Sequence, residues 1–192
     1  MKFGSRFDDQ TFSSSLALSA IWVALIAALS VGGSFAFACA APLAAIAALA
    51  ATRMDARTGL ALVVTAWLTN QIVGYAFLSY PHTFESYAWG AAIGVATIAA
   101  FAAARLATGM TRAWPGLLTV SFLLAFAAYE LALYVAGIPL GSSDDAFSVA
   151  TVARVFEVNA LSFAGLLILS VIASRFARPL VSAHGVNHLN FC

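Results

Sequence analysis

Residues 35–78, FAFACAAPLAAIAALAATRMDARTGLALVVTAWLTNQIVGYAFL, decide the fold. Two apolar runs, each close to the roughly 20 residues a helix needs to cross a bilayer, are joined by the charged segment Arg53-Met54-Asp55-Ala56-Arg57. Basic loops stay on the cytoplasmic side, so the pattern predicts two antiparallel membrane helices with this turn inside.

The same alternation continues along the chain. Eight of the nine Lys and Arg residues fall in four short segments: Lys2 and Arg6, Arg53 and Arg57, Arg105 and Arg112, Arg175 and Arg178. The turns near Gly33, His82 and Asp144 carry none. The expected fold is therefore all-α, a polytopic membrane protein built as a bundle of six transmembrane helices with both termini cytoplasmic. The predicted spans are 14–31, 35–52, 58–78, 87–105, 114–135 and 147–176, which form one domain over 1–179 and leave 180–192 as a flexible tail. The expected location is a bacterial inner (cytoplasmic) membrane.

Composition agrees. The chain is 62% hydrophobic and 9% charged, with a mean hydropathy of +0.95, against the roughly one quarter charged residues of a soluble domain. A net charge of +1, with arginines scattered over four turns, supplies no concentrated basic surface and argues against nucleic acid as a partner. Cys39 and Cys192 fall on opposite sides of the expected membrane, which excludes a disulfide between them. The run Leu16 to Val31 is long for a signal core and follows Asp8 and Asp9, so it reads as an uncleaved first span.

Small residues punctuate the spans. Ala20, Ala24 and Ala28 recur every four residues in the first, Ala36, Ala40, Ala44 and Ala48 in the second, and Gly90 and Gly94 sit near the outer end of the fourth. Such stripes let helix backbones approach closely. Pro81 breaks the chain after span three, and Trp114-Pro115 opens span five. The outer loop 137–145 contains Pro139, and its Ser-Ser-Asp-Asp run resembles a helix N-cap region.

A polar side chain in hydrocarbon costs several kcal/mol unless it is paired or faces a cavity, so depth is informative. Asn70 and Gln71 lie about 12 residues, or roughly 18 Å, from the cytoplasmic end of span three, with Tyr75 one turn beyond Gln71. Glu130 lies about 15 residues into span five beside Tyr129 and Tyr134, and Arg154, Glu157 and Asn159 fall in the first turns of span six. All are in the outer half. The expected consequence is a polar pocket open to the outside, lined by Asn70, Gln71, Tyr75, Glu130, Tyr134, Arg154, Glu157 and Asn159 and lidded by Tyr80, His82, Glu85, Tyr87 and Trp89. Alternatives stay open. Arg154 and Glu157, three apart, could neutralise each other. Asn70 and Gln71 could be interhelical hydrogen-bond donors and acceptors, and Tyr80, Tyr87 and Trp89 an interfacial aromatic belt. Glu130 has no basic residue within a turn of its own helix and needs a partner, a proton or a ligand.

Catalysis finds little support: no metalloprotease motif, nucleophile elbow or phosphate-binding loop is present, and no enzyme activity, cofactor or resident metal is expected. The tail sequence His184-x3-His188-x3-Cys192 would align three ligands only on a helix that Gly185 disfavours.

A small six-helix protein with an outward polar pocket and an alanine-striped first helix resembles the membrane-embedded substrate-binding component of energy-coupling factor vitamin transporters. That resemblance implies capture of a small polar, vitamin-like ligand from the periplasm. It also implies contact of Ala20, Ala24 and Ala28 with a transmembrane coupling subunit that works with separate ATPases. Cobalamin-type members use an outer-side cysteine; this chain has none there, and His82 would stand in its place. The alternative from the residues themselves is a non-transporting accessory or assembly subunit of a larger membrane complex, its outer polar groups paired within the bundle. A membrane enzyme using Glu130 and Glu157 as a carboxylate pair with His82 is a third class.

Overall fold

The computed structural model describes residues 41–110, 113–143 and 145–182, with side chains as far as residue 172. The first expected span with Ala20, Ala24 and Ala28, the start of the second, and the tail residues His184, His188 and Cys192 lie outside the described residues. Within them the chain is helical: α1 Leu43–Arg53, α2 Ala56–Phe77, α3 Phe84–Ala107, α4 Trp114–Leu140 and α5 Val149–Ser182. Four of these, α2 to α5, contain stretches long and apolar enough to cross a membrane, and α1 is a shorter apolar helix. The chain is a multi-pass integral membrane protein by that measure.

The short helix is the centre. Its 11 residues span about 16 Å, roughly half the hydrocarbon thickness. Every residue from Leu43 to Ala51 is buried. A helix apolar on all faces has no solvent side and belongs inside, and its alanines allow neighbouring backbones to come close. The four long helices form an arc around it in chain order; each touches α1, α3 and α4 pack most extensively, and α4 and α5 least.

A helix buried this way must satisfy its terminal backbone groups without water. At its start, Pro42 is the N-cap with ψ of 50° and contributes no side-chain hydrogen bond. Proline tolerates this position because it has no N–H to lose, and it sets the beginning of α1 eight residues after the expected start of span two. The missing acceptor comes from α5. Asn159 is 0% exposed; its Oδ1 accepts the Ala45 N–H at 3.1 Å and its Nδ2 donates to the Val155 carbonyl at 3.0 Å. At the other end, Arg105 of α3 donates from Nη1 to the carbonyls of Ala51 at 3.2 Å and Met54 at 3.0 Å. A cation there also meets the negative end of the helix dipole.

The remaining helices follow local signals. Asp55 caps α2, its carboxylate accepting from Thr58 N–H at 3.0 Å and Thr58 hydroxyl at 2.7 Å. Thr83 caps α3 through Ser86 N–H, so α3 starts three residues before the expected Tyr87. The α2 and α3 faces meet where glycine leaves room: a β-carbon on Gly94 would lie 2.6 Å from the Trp67 ring, and the indole Nε1 donates to the Gly90 carbonyl at 2.9 Å. That is the small-residue packing face the sequence predicts at Gly90 and Gly94. Helix α4 runs through Pro139, expected in the loop, and ends at Leu140 before Gly141 at φ 74°. Only its last turn is affected, which limits the cost of the ring. The cap of α5 is Ser148, accepting from Thr151 N–H, rather than the Ser-Ser-Asp-Asp run. Helix α5 reaches Ser182, beyond the expected end near Phe176. Phe122 and Phe126 of α4 pack against Phe156 of α5, with ring centroids 5.6 and 5.0 Å apart.

Asn159→Leu, of similar size, leaves the Ala45 N–H buried without an acceptor. It should lower unfolding stability in detergent by about 1–2 kcal/mol, read from the thermal midpoint, and an unchanged midpoint would remove Asn159 from the capping role. The hydrogen bonds from Thr58 hold the Asp55 carboxyl below the ordinary carboxylate range. Its contribution is therefore complete above the unfolded value of about 4 and is lost as the pH falls through the lowered one. The midpoint gap between wild type and Asp55→Ser should accordingly narrow between about pH 6 and about pH 3; a gap independent of pH would contradict this.

Candidate functional site

At the end of the bundle away from Arg53, Arg57 and Arg105, α2 and α3 carry an aromatic cluster. The chain leaves α2 through Ser79, whose φ is 55°, and Tyr80 N–H turns back to the Gly74 carbonyl at 3.1 Å. The Tyr80 ring then lies on Gly74, where a β-carbon would stand 2.5 Å from it. This brings Tyr80 edge-on to Tyr75, with centroids 5.8 Å apart. Tyr87, on the first turns of α3, stacks on Tyr75 at 5.0 Å, and His82 sits 5.5 Å from the same ring. His82 Nδ1 is 2.8 Å from the Tyr87 hydroxyl. The Tyr75 hydroxyl pairs with Ser86 Oγ at 3.0 Å. His82 and Tyr87 remain exposed, Tyr75 and Tyr80 half-buried.

Beneath the cluster lies Gln71. Its Oε1 would be 2.7 Å from a β-carbon on Gly90, a position from which the Tyr75 hydroxyl is 3.7 Å away. Its Nε2 is buried and makes no hydrogen bond among the described residues. A primary amide in a low-dielectric interior with an idle donor is costly. Gln71, Tyr75 and His82 are thus brought together, as the sequence expects, with Gly90 of the small-residue face beside them and Ser86 as a member that the sequence does not single out. A serine one turn after a helix cap carries no signal of its own.

The other expected residues are distributed differently. Asn159 is used at both ends of its amide within the bundle. Asn70 and Trp89 are half-buried, and neither makes a hydrogen bond among the described residues. Glu130 lies half-buried on α4, with no hydrogen bond or salt bridge among the described residues. Phe126 and Tyr134, one turn to either side of it, face Phe156 and Phe147, so its carboxylate lies along the α4 and α5 seam. Arg154 and Glu157 are exposed on α5, and no salt bridge joins them among the described residues. Helix α2 has no extensive contact with α4 or α5. The expected lining therefore divides into an amide and aromatic group on α2 and α3 and a charged group on α4 and α5.

No family model, curated protein or solved structure matches this chain. The reading of the site rests on its geometry.

Gln71→Leu removes an idle buried donor while keeping the volume. It should leave the thermal midpoint unchanged or raise it, by up to about 1 kcal/mol in stability. A clear loss of stability would show that the amide already has a partner.

Proposed function

We propose that the protein is a membrane-embedded capture component that takes a small polar ligand at the Tyr75, His82 and Tyr87 end of the bundle. The observation that carries this reading is the buried Gln71 Nε2, unpartnered among the described residues and directly beneath a partly exposed group of stacked rings. Aromatic faces supply area at low conformational cost, and a few convergent polar groups fix orientation, as in most small-molecule sites. A ligand carrying a ring and an acceptor would slide between the rings and accept from Gln71, with the Tyr75 hydroxyl and His82 turning from their present partners toward it. On the positive-inside rule this end faces the periplasm of a bacterial inner membrane. The role matches the one implied by the resemblance to the substrate-binding component of energy-coupling factor transporters. Energy would then come from a coupling subunit and ATPases, with Ala20, Ala24 and Ala28 as the contact.

Arg154 and Glu157 favour a second reading, that of an accessory or assembly subunit. Two exposed charges within the first three turns of an apolar helix are expensive against lipid and well used against another protein.

The test is mass spectrometry of small molecules released from the purified, folded protein. A compound should accompany wild type and fall at least tenfold in Gln71→Leu and His82→Ala, the loss expected when one or two good hydrogen bonds are removed. Absence of any compound from wild type, together with a stable complex that dissociates on Glu157→Gln, would instead establish the accessory role.

A further inference from the structure

At the opposite end, two apolar grooves diverge from one arginine. The first, about 230 Å³, runs between α1, α2 and α5 along Ile46, Leu49, Leu62 and Leu166. The second, about 360 Å³ and shallower, runs between α4 and α5 along Leu118, Leu167, Ile168 and Val171. Arg53 lines both. It is exposed, its guanidinium lies 4.7 Å from the centre of the Trp114 ring, and no acidic side chain forms a salt bridge with it among the described residues. Ser170 and Val171 are about 32 Å along α5 from its start, one hydrocarbon thickness, so the arginine stands at headgroup depth and the grooves run into the hydrocarbon.

We propose that this is a binding site for one anionic diacyl phospholipid, with its phosphate on Arg53 and one acyl chain in each groove. The occupant follows from the chemistry. A single cation shared by two apolar channels matches a single charged head with two tails. A guanidinium set over an indole, with no acidic partner among the described residues, has donors to offer a bidentate phosphate contact. Basic pockets between membrane helices at the leaflet of the basic loops are where anionic headgroups are bound, and Trp114 is at the depth where tryptophan anchors. The lipid also has structural work there, because α5 is the helix least tied to its neighbour in the arc, and a chain lying on either side of it would fill both seams. The proposal concerns the basic end alone and stands whether or not a ligand binds at Gln71.

The test uses the full-length protein, purified in detergent and incubated with an equimolar mixture of phosphatidylglycerol and phosphatidylcholine of identical chains. Retained lipid is read by native mass spectrometry. Wild type should keep one phosphatidylglycerol in preference to phosphatidylcholine, and lyso-phosphatidylglycerol should be retained more weakly than the two-chain lipid. Arg53→Gln should reduce the preference roughly fivefold while Arg53→Lys largely preserves it. Ile168→Trp, at an exposed position in the second groove, should reduce retention of the two-chain lipid without lowering the thermal midpoint. Equal retention of the two headgroups by wild type, or a preference untouched by Arg53→Gln, would overturn the proposal. So would displacement of the bound lipid by millimolar inorganic phosphate, which would mark a simple anion site, and equal retention of the one-chain lipid would overturn the two-groove arrangement.

Discussion

The arrangement depends on satisfying the ends of a helix whose residues from Leu43 to Ala51 are all buried. Helix α1 presents alanine, leucine and isoleucine on every side, so packing alone would let it slide or rotate among its neighbours. Backbone polarity prevents this. The Ala45 N–H must meet an acceptor and the carbonyls of Ala51 and Met54 a donor, and these are supplied by Asn159 of α5 and Arg105 of α3. Two directional contacts at opposite ends fix the axial position of α1, and with it the register of the two long helices that provide them. In hydrocarbon, such contacts specify more than apolar surface can, since lipid tails compete equally well for leucine.

With the centre fixed, polarity separates between the two ends of the bundle. At one end, glycines at positions 74, 90 and 94 let Tyr80, Gln71 and Trp67 lie against backbone, which assembles the ring cluster over the Gln71 amide. At the other, Arg105 is consumed by the cap while Arg53 has, among the described residues, an indole beside it and apolar grooves on both flanks. Arginines two spans apart thus have different tasks, one inside the fold and one at its surface. The first is set by carbonyls within reach, the second by the Trp114 ring and the grooves beside it.

Charge on α4 and α5 presents a different situation. Glu130 along the seam and Arg154 and Glu157 on the outer surface have no salt bridge among the described residues. Ionisable side chains persist in apolar helices where they contact something other than lipid, and these three lie on the least tightly packed pair of adjacent helices in the arc. Among the described residues, this is the part with most capacity to meet another chain.

Helical class, the long apolar segments, the glycine packing face and the turn at Asp55 were all legible in the sequence, because each depends on local chemistry: hydropathy over a span length, a missing side chain, a carboxylate three residues before its N–H partner. The grouping of Gln71, Tyr75 and His82 was legible too, since it follows from one helix hairpin. What only the tertiary structure decided is the fate of individual polar residues. Asn159 has the composition and depth of a ligand contact, yet its amide is taken by a helix start 114 positions away in the chain. Arg105 has the position of a topology-setting cation, yet it closes a helix end. Hydrogen-bond partners so distant in sequence carry no periodicity or spacing by which to find them. They become visible only when packing has brought the backbone of α1 between its neighbours.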